Sequence, residues 1–168
     1  MKIAFLSDIH DHTDNLRWAL EEIVTMNADQ IVCLGDIVSS FTARILSESS
    51  IPVFAIFGNN EGDRGAIVRT SLAEGSNLTM ATREFACWEY RGKQYFLSHY
   101  PELAENTLSK GIYEAVFHGH THKKRYEVIE GIPLINPGEI AGIATGIVSF
   151  ALFDTETKEV QFFEKEKK

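Results

Sequence analysis

Six histidines carry the strongest chemical signal in this chain: His10, His12, His99, His118, His120 and His122. None falls within a helical pattern, and each lies just past a short apolar run. Acids and amides occupy comparable places, in Asp8-Ile9-His10, Gly35-Asp36, Gly58-Asn59-Asn60-Glu61, Ser98-His99 and Gly119-His120-Thr121-His122. Ligand sites of α/β sheets form outside the carboxyl ends of the strands. These segments would therefore gather Asp8, His10, Asp36, Asn59, His99, His120 and His122 on one rim. The glycines before Asp36, Asn59 and His120 permit the sharp turns this needs. Oxygen and imidazole donors without thiolate suit Mn²⁺, Fe, Zn²⁺ or Ni²⁺. Seven donors exceed what one catalytic zinc takes. They match two ions that share a bridging carboxylate.

The elements that must position these residues are legible from periodicity. In the first half, apolar runs at residues 3–6, 31–34 and 53–57 alternate with helical patterns. The first pattern spans residues 13–26, with Leu16, Leu20, Ile23 and Val24 at helical spacing and Thr13 or Asp14 as N-cap. The second places Phe41, Ile45 and Leu46 on one face, and the third carries Ile67, Val68 and Leu72. Such alternation implies parallel strands and right-handed crossovers. The second half reads as hairpins: residues 85–90 with 95–97, 126–129 with 133–135, and 147–153 with 160–163. A short helix is expected over 101–108, and a strand over 115–117 leads into His118. The result is a mixed α/β protein with two packed sheets. The charge run at 164–168 reads as a frayed end.

The 168 residues form one domain over 1–168 on this reading. Sixteen Lys and Arg against 24 Asp and Glu leave a formal charge of −8, the wrong sign for binding a nucleic-acid polymer. No run of about 18 apolar residues occurs, so no membrane span is expected. The N-terminus reads as a strand rather than a signal peptide. Cys33 and Cys87 both sit in apolar runs and read as buried thiols, which suits a reduced, cytoplasmic setting. Phe150, Phe153, Phe162 and Phe163 would lie in the core or at the face of a homo-oligomer.

The motifs D-x-H, G-D, G-N-x-[D/E], a lone His after a strand, and G-H-x-H occur here in that order. The set resembles the calcineurin-like metallophosphoesterase superfamily. Chain length and Asn136-Pro137-Gly138 resemble its small single-domain branch, the YfcE-like phosphodiesterases. The resemblance implies a four-layer α-β-β-α sandwich of two mixed sheets. It implies a first metal held by Asp8, His10, Asp36 and His122, and a second held by Asp36, Asn59, His99 and His120. Two divalent ions are expected, with Mn²⁺ ahead of Ni²⁺, Fe or Zn²⁺. Asn59 and His99 would act beside a metal-bridging hydroxide that attacks the phosphorus of a small phosphodiester.

One departure bears on chemistry. Larger relatives carry His directly after the G-N pair, as an acid for the leaving group, whereas this chain has Asn60. Asparagine has no titratable proton, so good leaving groups should be preferred. His12 is the candidate substitute acid. His118 reads as a core or edge histidine, Tyr100 as a rim residue and Arg64 as a phosphate contact or a solvated charge. Glu139 stands where relatives often have Ser, and either shapes the rim or does nothing. Lys123-Lys124-Arg125 reads as a solvated turn, and Trp18 and Trp88 as core or interface. Two other functions share the fold: a phosphomonoesterase on the same site, and a catalytically silent scaffold. The filled donor positions argue against the scaffold.

Overall fold

The computed structural model describes residues 1–167. Strand β1 (Lys2–Leu6) leads to helix α1 (Thr13–Thr25), β2 (Gln30–Cys33) to α2 (Ser40–Ser47), and β3 (Val53–Ala55) to α3 (Arg64–Ser71). β4 (Leu78–Met80) follows. The chain then forms β5 (Phe85–Tyr90), β6 (Lys93–Ser98), α4 (Pro101–Leu108), β7 (Ala115–His118), β8 (Lys124–Ile129), β9 (Ile132–Pro137), β10 (Ile147–Asp154) and β11 (Val160–Glu166).

One sheet has the order β11-β10-β1-β2-β3-β4, the other β5-β6-β7-β9-β8. Both are mixed. β1 to β4 run parallel, as do β6, β7 and β9, while β10, β11, β5 and β8 pair antiparallel to their neighbours.

Strand alternation assigns each side chain to a layer. Ile3, Phe5, Val32, Leu34 and Ile56 point from the first sheet towards Tyr95, Leu97, Ala115, Phe117 and Ile135 of the second. Phe5 stacks on Phe117 at the centre of this layer. The opposite faces of the same strands, through Ala4, Leu6, Ile31 and Cys33, pack on Leu16, Ala19 and Ile23 of α1, Ala43 and Leu46 of α2, and Ile67 of α3. Phe96, Val116 and Leu134 of the second sheet cover Ala104 and Leu108 of α4. The layers are therefore helix, sheet, sheet, helix, as the motif resemblance implied. Burying each large apolar side chain is worth roughly 1.5–3 kcal/mol, so these three apolar layers fix how the two sheets sit on one another.

Several expectations are corrected. β4 went unrecognised because three residues are too few to display a period of two. The 164–168 charge run is not frayed throughout: Glu164 and Glu166 pair by backbone with Ser149 and Ile147. Edge pairing needs only main-chain groups, and charged side chains on it face water; Lys168 lies outside the described residues. Cys33 is buried but Cys87 is exposed, because alternation along β5 turns it outward. Burial pushes the Cys33 thiol up, which makes it unreactive. Phe41 and Leu72 are 65% and 78% exposed, leaving the buried face of α2 to Thr42, Ala43, Ile45 and Leu46. The N-cap of α1 is His12, one residue earlier than expected, and its side chain makes no capping bond. Trp18 packs edge-on against Phe150, and Trp88 stacks with Phe54 and Tyr90, so both serve the core.

Candidate metal centre

The carboxyl ends of β1, β2 and β3 meet those of β6, β7 and β9 along one rim. Main-chain bonds stitch the ends together. Asp8, Ile9 and His10 donate to Gly35 and Asp36 carbonyls, while Ile140 and Ala141 donate to Ser7 and Asp8 carbonyls. Gly119 donates to the His99 carbonyl. Close approach requires glycine at two points. A Cβ on Gly58 would fall on the Asp36 carboxylate, and one on Gly119 would fall on the Ser7 side chain. Backbone strain is concentrated here as well. Asp8, His10, Asp36, His120 and His122 all have φ between 46° and 68°. Left-handed conformations cost non-glycine residues on the order of 1–3 kcal/mol each and persist only where surrounding structure enforces them.

The side chains converge. Donor atoms of Asp8, His10 and His122 lie within 4.8 Å of one another, and so do those of Asp8, Asp36 and His99. His122 Nε2 is 3.4 Å from Asp8 Oδ1, and His99 Nε2 is 3.6 Å from Asp36 Oδ2. His10 Nε2 lies 3.2 Å from Asp36 Oδ2 without a hydrogen bond between them. Asn59 Oδ1 is 2.8 Å from both His99 Nε2 and His120 Nδ1, which ties the remaining two residues to the rim.

Three observations fit a cation. Asp8 is fully buried, and its Oδ1, like His10 Nε2, has no hydrogen-bond partner among the described residues. Leaving buried polar atoms unpaired is costly. Second, the Leu34 carbonyl, 2.8 Å from His99 Nδ1, can only accept, so Nδ1 carries the proton. In a neutral ring Nε2 is then a bare lone pair facing the lone pairs of Asn59 Oδ1, and a cation satisfies both. Third, Asp8 and Asp36 crowd negative charge into a low-dielectric pocket. Burial raises the Asp8 pKa against the opposing pull of His99. Burial also acts to raise Asp36, but His10 and the Asn60 hydrogen bonds hold its carboxyl well below the usual carboxylate range. The Asp36 carboxylate in turn raises the His10 pKa.

Residues to which sequence reasoning gave no part in positioning the donors hold this geometry. Glu61 accepts from the backbone N–H groups of Ile37 (3.2 Å), Val38 (2.7 Å) and Gly58 (2.8 Å), locking the Asp36 loop to the Asn59 loop. Asn60 donates to Asp36 through its backbone N–H (2.7 Å) and its Nδ2 (2.9 Å). Asp11 accepts from the Ser39 and Thr42 hydroxyls. For Glu61 the available signal was an acid in a glycine-containing turn, between Gly58 and Gly62, where free N–H groups gather.

The other candidates lie apart from the donor atoms or do different work. His12 lines a cavity of about 450 Å³ with Thr13, Asn15, Lys165 and Lys167, and it belongs to neither donor cluster. Burial, then Lys167, lowers its pKa. His118 is buried beneath the rim, with Nδ1 against Gly119 O and the Asn136 amide. Tyr100 packs its ring against His99 and His120. Arg64 is committed to Glu84 and the Gly58 carbonyl and covers the Phe57 ring, so it braces the Asn59 turn. Lys124 and Arg125 are paired with Glu164, Glu105 and Glu127.

Residues 1–158 match the model of the calcineurin-like phosphoesterase superfamily domain. The chain belongs to that superfamily. Its small members include similar proteins. A phosphodiesterase of Methanocaldococcus jannaschii is 32% identical over 161 residues, which is 95% of this chain and 96% of that protein. The solved structure of an archaeal phosphodiesterase superposes with a TM-score of 0.89 at 30% identity, covering 98% of this chain and all of the other. The E. coli phosphoesterase YfcE superposes with a TM-score of 0.69 at 20% identity, over 99% of each chain, and shares the fold. The superfamily's metal-dependent hydrolysis of phosphate esters agrees with the rim just described. No helix among the described residues is long and apolar enough to cross a membrane.

Proposed function

We propose that this superfamily member is a metal-dependent phosphodiesterase acting on small phosphodiesters. The observation that carries the proposal is the convergence of Asp8, His10, Asp36, His99 and His122, with Asn59 and His120 bonded to that group, where the two sheets meet, with Asp8 Oδ1 and His10 Nε2 left without partners. The names of the phosphodiesterases it resembles support the same reading. Asp8, His10, Asp36 and His122 would hold one divalent ion, and Asp36, Asn59, His99 and His120 a second. Mn²⁺ is our choice of ion on the family resemblance; oxygen and imidazole donors without thiolate admit it alongside Fe, Zn²⁺ and Ni²⁺. When bound, such a pair supplies a nucleophilic water near neutral pH and positive charge for phosphoryl oxygens. It also offers an anionic substrate a positive centre in a chain of charge −8.

The protein's own groups do the rest. Asp36, whose carboxyl His10 and Asn60 pull below its ordinary range against burial, lies within reach of both His10 and His99. Asn59 offers its amide oxygen to the second cluster and keeps its N–H groups for a phosphoryl oxygen. His99 is held through Nδ1 by the Leu34 carbonyl, so its Nε2 has one orientation. Asn60 supplies no proton to the leaving group and holds Asp36 instead. General acid assistance is worth about 10²–10⁴-fold, so rates should climb steeply as the leaving group becomes less basic. The two free cysteines support a reducing, cytoplasmic setting.

The test compares an aryl phosphodiester, the matching aryl phosphomonoester and an alkyl phosphodiester with the Mn²⁺-loaded protein. Turnover of the aryl diester well above the other two is expected. A strong preference for the monoester would reassign the site to a phosphatase. No turnover of any of the three by protein shown to hold metal would make it a scaffold.

A further inference from the structure

Glu139 follows β9 and is fully buried, yet it is a carboxylate. Its surroundings explain why it is tolerated. Oε1 accepts from the Thr145 N–H (2.7 Å), the Thr145 hydroxyl (2.8 Å) and the Ala144 N–H (3.0 Å). Oε2 accepts from the Ile143 N–H (2.9 Å) and sits 2.8 Å from His122 Nδ1. Its main chain is pinned too, since the Ser149 N–H donates to the Glu139 carbonyl.

The consequence reaches the rim through His122. Every other group around the Glu139 carboxylate donates, so the carboxylate fixes the proton of His122 on Nδ1. Nε2 is then a lone pair pointing at Asp8 Oδ1, 3.4 Å away. The corresponding support for His99 in the other cluster is a neutral carbonyl, that of Leu34. An anionic acceptor on the far nitrogen makes an imidazole a stronger ligand than a neutral one does, and such outer partners are worth roughly 10–100-fold in metal affinity. The two clusters are therefore built unequally.

We propose that Glu139 is a positioning residue that sets the His122 tautomer and makes the Asp8–His10–His122 cluster the tighter of the two ion sites. This rests on the two-ion reading above. The experiment is a calorimetric titration of metal-free protein with Mn²⁺ alone, for wild type, Glu139→Gln and Thr145→Val. Long-range ¹H–¹⁵N NMR of the His122 ring accompanies it. Thr145→Val removes one loop donor to Glu139 and leaves His122 untouched. The expected result is a tight and a weaker step in wild type. In Glu139→Gln the tight step weakens about 10–100-fold and the weaker step stays put. His122 loses its single Nδ1–H tautomer in that variant, while Thr145→Val behaves as wild type. Unchanged steps in Glu139→Gln would overturn the inference and leave the two-ion reading standing. So would equal weakening of both steps, or a Thr145→Val variant that reproduces Glu139→Gln, because either would reduce Glu139 to a strut for the 143–145 loop. A single step in wild type would instead remove the two-ion reading itself.

Discussion

Replacing Asp36 with Ala is expected to lower kcat/KM for an aryl phosphodiester by about 10⁴-fold or more, the scale on which losing one member of an interdependent catalytic set acts. Metal content should fall from two ions per chain to one at most. Asp36 is the residue that both clusters approach: His10 Nε2 is 3.2 Å and His99 Nε2 3.6 Å from its Oδ2. Asp8, the other rim carboxylate and a member of both donor groups, accepts from the His120 N–H through Oδ2 and turns Oδ1 towards His122, so it does not replace Asp36 between His10 and His99. The loss should not reflect unfolding. Against the upward push of burial, His10 and the Asn60 hydrogen bonds hold the Asp36 carboxyl below its ordinary range, so losing it costs the metal-free fold some stability. The metal-free variant should melt below the metal-free wild type, yet still in one cooperative transition above the assay temperature. Steady-state kinetics, metal analysis and calorimetry on one preparation check all three statements. Activity within a factor of about ten of wild type would place the chemistry elsewhere, because even general acid help alone exceeds that.

Stripping the metal should have a comparable effect on rate and a distinct effect on stability. A chelator is expected to abolish diester hydrolysis, and added Mn²⁺ to restore it. The buried Asp8 and Asp36 carboxylates then lose their counter-charge, and Asp8 Oδ1 and His10 Nε2 lose the partner they lack within the protein. An ion present at a hundred times its Kd stabilises the folded state by about 2.7 kcal/mol per site. For a chain of this size about 1 kcal/mol shifts Tm by 2–4 °C. Chelation should therefore lower Tm by about 5–10 °C for each site emptied. A Tm that ignores both chelator and Mn²⁺ would argue that the donors hold no ion.

That these side chains gather on one rim was legible in the sequence for a physical reason. Short apolar strands that end in Gly-Asp, Gly-Asn or Gly-His announce both where a strand stops and what it presents there. Because the strands run parallel, those ends share one rim. The α4 span was readable because Pro101 fixes its first turn. What stayed hidden depends on partners distant in sequence. Glu139 owes its place to amides of residues 143–145 and to His122, and Glu61 to amides of Ile37 and Val38. A carboxylate that accepts from backbone looks, as a letter, like any solvated acid. The same holds for Arg64, whose partner Glu84 comes from a different segment. Cys87 and Phe41 were misplaced because apolar character does not say which face of an element is covered.

Anomalous diffraction from crystals soaked in Mn²⁺ tests the central claim most directly. The account predicts two peaks about 3.5–4 Å apart, the separation of paired catalytic ions, with the Asp36 carboxylate between them and His122 and His99 on opposite sides. A lone peak, or peaks remote from Asp36, would contradict it.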